Sequence, residues 1–412
     1  MVTKHQCRNG VRILLDKIPS VRSVAIGIWV GTGSRNETRA NNGVSHFLEH
    51  MFFKGTHTRN ARDIAESFDR IGGHVNAFTS KEYTCFHANV LDNHGDYALE
   101  VLADMFFNST FSSDELVKEK QVVFEEIKMY EDTPDEVVHD LLGEACFGEH
   151  PLGYPILGSE KSLNTFSSDT LRDYMNQSYT PDNVVISIAG NVDESIVRKA
   201  EAYFGSYQAA QEKSSVGQPD FQANRMAKKK DTEQAHLCLG FNGLPIRDEK
   251  IYGLSVLNSI LGGSMSSRLF QEVREERGLA YSIFSYHSAF RDNGVVTIYG
   301  GTGASRVEEL YDTICDILEA VKQEGVTETE LENNKEQIKG HLVLGLEGTN
   351  SRMSLNGKNE LFLGRHRSLD DMVEEINAVT IDEVNKLART IFTNQFSCSL
   401  VSPSGSLPQS LQ

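Results

Sequence analysis

Apolar residues recur along this chain at two spacings, and their order predicts the architecture. Short apolar runs at 75–79, 82–90, 184–189, 295–299 and 396–401 sit between turn-forming residues and predict strands, and strand-like sequence begins at Val11. Between 112 and 132, Leu116, Val117, Val122, Val123, Phe124 and Ile127 fall at helical spacing. Ser112 or Ser113 precedes them as N-cap, with Asp114 and Glu115 in the first turn. A shorter apolar helix lies between Gly43 and Gly55. Each half of the chain runs through strands, paired helices, strands, several long helices and a final strand. Without the regular alternation of a parallel sheet, this order predicts an α+β fold with helices packed on a largely antiparallel sheet.

The two halves end alike. Asp169 opens a helix that leads to Thr180-Pro181-Asp182-Asn183 and the strand at 184–189, and Asp382 opens one that leads to Thr393-Asn394-Gln395 and the strand at 396–401. An Asp-capped helix followed by a short strand, twice, predicts two homologous domains of about 200 residues each. The stretch 207–234 is rich in Gln, Ser, Lys and Asp without periodicity and reads as a surface linker, with Lys228-Lys229-Lys230 in a solvated connection. The predicted division is therefore 1–210, a linker at 211–232, and 233–412.

The short helix carries the chemistry. In His46-Phe47-Leu48-Glu49-His50 two imidazoles lie one helical turn apart on one face and can bind one metal ion. Glu49 beside them can take a proton from an attacking water and return it to a leaving amine. This order, with the glutamate next to the second histidine, is the inverse of the commoner zincin motif. A zinc site also needs a third protein ligand and an open position. Glu119 and Glu126, seven apart on the acidic helix, share a face with Val122 and Val123. Carboxylates beside an apolar surface call for a compensating cation or proton, and zinc with two histidines would be one. Glu125, Glu131 and Asp132 read as solvated.

The inverted motif, the acidic helix with Glu126 placed 76 residues beyond His50, and Gly72-Gly73-His74-Val75-Asn76-Ala77-Phe78-Thr79 together resemble the pitrilysin/insulinase metallopeptidases. Within them the chain looks most like the mitochondrial processing peptidase-type branch and its bacterial relatives, from about Asn9 to the C-terminus. The resemblance implies a zinc endopeptidase. His46, His50 and Glu126 would be zinc ligands, Glu49 the general base and Glu119 a carboxylate behind the ligands.

Composition agrees. No apolar run approaches the about eighteen residues of a membrane span. The N-terminus has no hydrophobic signal core and is too short for a transit peptide. Six cysteines, Cys7, Cys85, Cys146, Cys238, Cys315 and Cys398, occur singly, which points to reduced, buried thiols and a cytoplasmic home. A net charge of −18 argues against nucleic acid and favours basic peptides.

In the second half, the segment equivalent to the motif helix, at 252–261, has no metal ligand, so one zinc per chain is expected. Leu261-Gly262-Gly263-Ser264 and Gly301-Thr302-Gly303 read as turns, since neither has the spacing that nucleotide binding needs. By the family resemblance, Arg274 and Tyr281 match an arginine and tyrosine seven residues apart, and either group can stabilise an oxyanion. The run at 75–79, with Asn76, Ala77 and Phe78, is either half of a covered hairpin or an edge strand on which an extended peptide pairs. The resemblance favours the second. The larger single-chain members enclose substrate with four domains, so the resemblance also implies a homodimer sharing its active sites, with Arg274 and Tyr281 supplied in trans. The competing reading is a non-catalytic assembly subunit of the same fold.

Overall fold

The computed structural model describes residues 2–208 and 216–411. Strands β1 (Val2–Gln6), β2 (Arg12–Lys17), β3 (Ser23–Val30), β4 (His74–Thr79), β5 (Thr84–Leu91) and β6 (Val184–Gly190) form one sheet in the order β1-β2-β6-β3-β5-β4. Strands β7 (Arg225–Lys229), β8 (Gln234–Asn242), β9 (Ala280–Ala289), β10 (Gly294–Gly303) and β11 (Phe396–Ser402) form a second, in the order β7-β11-β8-β10-β9. The pairings β2–β6 and β7–β11 are parallel, and the other neighbours run antiparallel. With β1 set aside, the two sheets share strand order and strand sense, which is the expected duplication.

Two compact units form around these sheets. The first comprises Met1–Ile127, Tyr154–Val216 and Leu344–Arg367, and the second Lys128–Gly153, Gly217–Val343 and Ser368–Gln412. Each sheet is thus covered partly by a helix from the other half of the chain. Helix Thr349–Leu363 lies on the first sheet, where Ser187 Oγ donates to the Met353 carbonyl at 2.7 Å. Helix Pro134–Phe147 lies on the second, where Ser399 Oγ donates to the Val138 carbonyl at 2.7 Å. Ser187 and Ser399 are each the fourth residue of equivalent strands. The duplication therefore extends to how each sheet holds its covering helix.

The covering helix explains why β3 reads as an unbroken apolar run. Val24, Ile26, Ile28 and Val30 belong to the core shared with Phe47, Leu48 and Met51 of helix Val44–Met51. On the other face, Gly27 lacks a side chain because a Cβ there would lie 2.3 Å from Met353 Sδ. Both faces are covered, so alternation disappears.

Several local expectations need correction. Sheet structure begins at Val2, because β1 pairs with β2, and its polar sequence reflects an edge position with a mostly exposed face. The helices after Asp169 and Asp382 are capped by Ser167 and Thr380, with the aspartates in the first turn. Gly301-Thr302-Gly303 is the end of β10, paired with His236, Ala235 and Gln234. Within 211–232, residues 211–215 lie outside the described residues, as do 209 and 210 at the expected boundary. Arg225–Lys229 is a sheet-edge strand whose side chains are largely exposed, which is why it showed no apolar period.

Trp29 is the only tryptophan and is fully buried, with Nε1 3.3 Å from Met353 Sδ. Its fluorescence therefore reports the first unit alone. Met353→Ala is expected to destabilise that unit by about 2–5 kcal/mol, because the cavity opens against a rigid indole. Denaturant titration followed by Trp29 emission checks this, and an unchanged midpoint would contradict the packing role of the covering helix.

Candidate metal centre

Helix Val44–Met51 starts at Gly43, whose φ of +93° suits glycine. A Cβ at Gly43 would also lie 2.7 Å from the Leu157 carbonyl oxygen. The exposed amides of the helix start are met by Glu37, a buried carboxylate. Its Oε2 accepts from the Gly43 amide at 2.8 Å and from the Asn42 side chain at 2.9 Å, and its Oε1 accepts from the Ser45 amide at 2.8 Å. Burial raises the Glu37 pKa, and these hydrogen bonds oppose the rise. The Ser45 and Tyr174 hydroxyls, 2.8 Å apart, join this helix to helix Ser168–Ser178. The histidines are thus carried on a short, firmly anchored helix.

The acidic helix spans Ser113–Glu131, with Ser112 Oγ accepting from the Glu115 amide. Glu119 and Glu126 face the motif helix. Glu126 Oε1 lies 3.7 Å from His46 Nε2, and Glu126 Oε2 lies 3.6 Å from His50 Nε2. One donor atom from each of these three residues lies within 4.8 Å of the other two. Glu119 Oε1 is 2.8 Å from His50 Nδ1, the ring nitrogen on the other side, and Glu119 Oε2 pairs with Lys54 Nζ at 2.6 Å. Val123 packs into the core beside these carboxylates, but Val122, expected on the same face, is 52% exposed. The buried stripe continues from Val123 through Phe124 and Ile127, and Val122 falls just outside its edge.

Protonation states fit a cation site. Burial, followed by the neighbouring His50 charge, lowers the His46 pKa to about 3, leaving the neutral imidazole that a metal requires. Burial also opposes charge on His50, but the hydrogen bond and negative field of Glu119, with Glu126 and Glu49, raise its pKa overall. Burial raises Glu126. Burial would raise Glu119 as well, yet the bonds from His50 and Lys54 hold it below the usual range. Three carboxylates surround two imidazoles here, and Lys54 pairs with one of them. The donor set of two imidazoles and a carboxylate suits zinc, and the His50–Glu119 contact is the support that metal-bound histidines commonly receive.

Glu49 lies beside this set and accepts from Thr79 Oγ1 at 2.5 Å, which ties the motif helix to β4. Burial raises its pKa, while the Thr79 bond opposes the rise. β4 is the last strand of its sheet, with β5 as its only strand neighbour among the described residues. Asn76 is exposed on it, Ala77 is buried and Phe78 is half-buried against Trp29. Arg274 and Tyr281 lie in the second unit. Arg274 sits on a π-helical stretch, Phe270–Glu276, with its guanidinium 4.6 Å from the Tyr281 ring centroid, and Tyr281 is 78% exposed. Helix Ile251–Gly262 follows β8 as the motif helix follows β3, and carries no metal-type side chain.

Sequence reasoning missed Glu37, Lys54 and the role of Thr79. Glu37 stands outside the usual capping spacing. Lys54, four residues beyond His50, carries a charge opposite to the carboxylates expected there, which was a usable signal.

Residues 12–160 match the family model described as Insulinase (Peptidase family M16), and residues 165–338 match that described as Peptidase M16 inactive domain. All five motif and acidic-helix residues lie in the first match. The protein named Uncharacterized zinc protease YmxG of Bacillus subtilis is 60% identical, over 99% of this chain and 100% of that one. An uncharacterized zinc protease of Streptomyces coelicolor is 41% identical, over 96% and 88%. A protease from Helicobacter pylori of known structure is 22% identical and has the same fold, with a TM-score of 0.91 over 98% of this chain and 99% of that one.

Glu119→Gln keeps the shape of the support behind His50 but removes its charge. Zinc affinity is expected to fall about 10- to 100-fold. Competition with a chromophoric chelator measures this, and unchanged affinity would separate Glu119 from the metal centre.

Proposed function

The chain belongs to peptidase family M16, the insulinase family, and from that premise we propose that it is a zinc-dependent endopeptidase hydrolysing peptides or unfolded polypeptide segments. The observation that carries this reading is the convergence of His46, His50 and Glu126 with Glu49 beside them. Zinc held by those three residues, one ion per chain, would polarise the scissile carbonyl and lower the pKa of the attacking water. Glu49 takes the proton of that water and returns it to the leaving amine. Burial brings its carboxyl closer to the working pH of a general base, and Thr79 fixes its orientation. Glu119 orients His50.

The open edge of β4 supports a template role for Asn76, Ala77 and Phe78. An extended peptide pairing there bonds through its main chain, so selection rests little on side-chain identity. The net charge of −18 favours basic substrates. Arg274 and Tyr281, stacked on one another, serve as donors to the oxyanion. We place them in a homodimer, where each pair would act on the zinc site of a second copy of the chain. The six free thiols support a reducing compartment such as the cytoplasm.

Glu49→Gln preserves size and hydrogen bonding but cannot take the proton. It should retain zinc while peptide hydrolysis falls by several orders of magnitude. Near-normal turnover would remove Glu49 from its role. His50→Ala should lose metal and activity together.

The in-trans arrangement has its own test, mixing Glu49→Gln with Tyr281→Phe. A mixed dimer would hold both defects in one site and neither in the other, so activity should partly return. If heterodimers form and nothing returns, Tyr281 serves its own chain or has no part in catalysis.

A further inference from the structure

A second convergence of metal-type donors lies in the first unit, at the sheet edge opposite β4. His5 is on β1, Cys7 lies in the turn to β2, and Glu201 is on helix Ser195–Phe204. One donor atom from each, a nitrogen, a sulfur and an oxygen, lies within 4.8 Å of both others. Cys7 is free and 3% exposed. His5 Nε2 is enclosed and makes no hydrogen bond, although Glu201 Oε2 is only 3.1 Å away. An imidazole and a carboxylate that approach so closely without a hydrogen bond, over a buried thiol, are disposed as donors around a common point.

The frame around them is held by bonds in which the three side chains take no part. The Cys7 amide donates to the Val11 carbonyl at 2.8 Å, and the Gly10 amide donates to the Cys7 carbonyl at 3.0 Å. The Asn9 side chain donates to the carbonyls of Phe204 at 2.8 Å and Tyr207 at 3.1 Å. The turn carrying Cys7 is therefore fastened to the end of the helix carrying Glu201 before any ion arrives. Such a frame limits the rearrangement that binding needs.

We propose that His5, Cys7 and Glu201 form a second metal site, specific for a thiophilic divalent transition ion of the zinc class. Thiolate and imidazole disfavour magnesium and calcium, and three protein ligands leave a fourth position for water. The half-exposed His5 and Glu201 side chains give an entry path from solvent. On binding, the Cys7 thiol releases its proton to solvent. The ion would clip β1, which among the described residues has β2 as its only strand neighbour, to the Ser195–Phe204 helix. Anchoring of this edge would then depend on the supply of the ion.

Cobalt(II) distinguishes this site from the first, because only a site containing sulfur gives a near-ultraviolet sulfur-to-cobalt charge-transfer band. The full chain loaded with cobalt should show that band and bind about two ions per chain. Cys7→Ser should abolish the band and one bound ion while peptide hydrolysis persists. His5→Ala leaves the thiol in place and should weaken the band's cobalt titration by about tenfold or more. Absence of the band at saturating cobalt, its survival in Cys7→Ser, or an unchanged titration in His5→Ala would each overturn the proposal.

Discussion

A concentration of negative charge between two helices, close to the apolar core, is the constraint on which the rest of the first unit depends. Glu49, Glu119 and Glu126 approach two imidazoles where water is scarce, and isolated carboxylates there would be costly. Lys54 pairs with Glu119. A divalent cation would correct the remaining imbalance, and two imidazole nitrogens and a carboxylate oxygen converge where they could hold it. Helix Val44–Met51 can sustain this arrangement because its start is held from below by Glu37 and its side is bonded to β4 through Thr79.

The duplicated scaffold separates what folding requires from what chemistry requires. Apart from the added edge strand β1, both sheets have the same strand order, and Ser187 and Ser399 fasten their covering helices in the same way. The motif helix and helix Ile251–Gly262 occupy equivalent places, and only the first carries metal donors. The second keeps an apolar sequence there, so the fold does not need the charged residues. Their presence in the first unit alone supports a metal centre in that unit.

The local pattern made much of this legible. Two histidines one turn apart define a helical face, and glutamates seven apart on the acidic helix define another, so spacing and family resemblance pointed to the three residues whose donor atoms converge. The α+β class and the duplication followed from element order. What remained hidden depends on tertiary contact. β1 is an edge strand without an apolar period, and Val2–Gln6 acquires its structure from β2. The exchange of helices Pro134–Phe147 and Thr349–Leu363 between the two sheets has no local signature, because an amphipathic helix does not specify which sheet it covers. Glu37 acts across a loop, outside the range of capping patterns. Val122 was misplaced because apolar character alone does not fix the edge of the stripe: Val123, Phe124 and Ile127 pack on the core, and Val122 lies just outside it.

The central claim is that the motif helix and the acidic helix together hold one zinc ion. Diffraction at the zinc absorption edge from crystals of the zinc-loaded protein tests it most directly. An anomalous peak about 2.0–2.2 Å from His46 Nε2, His50 Nε2 and a Glu126 carboxylate oxygen is the expected result. Crystals of zinc-loaded protein with no anomalous peak among these three residues would contradict it.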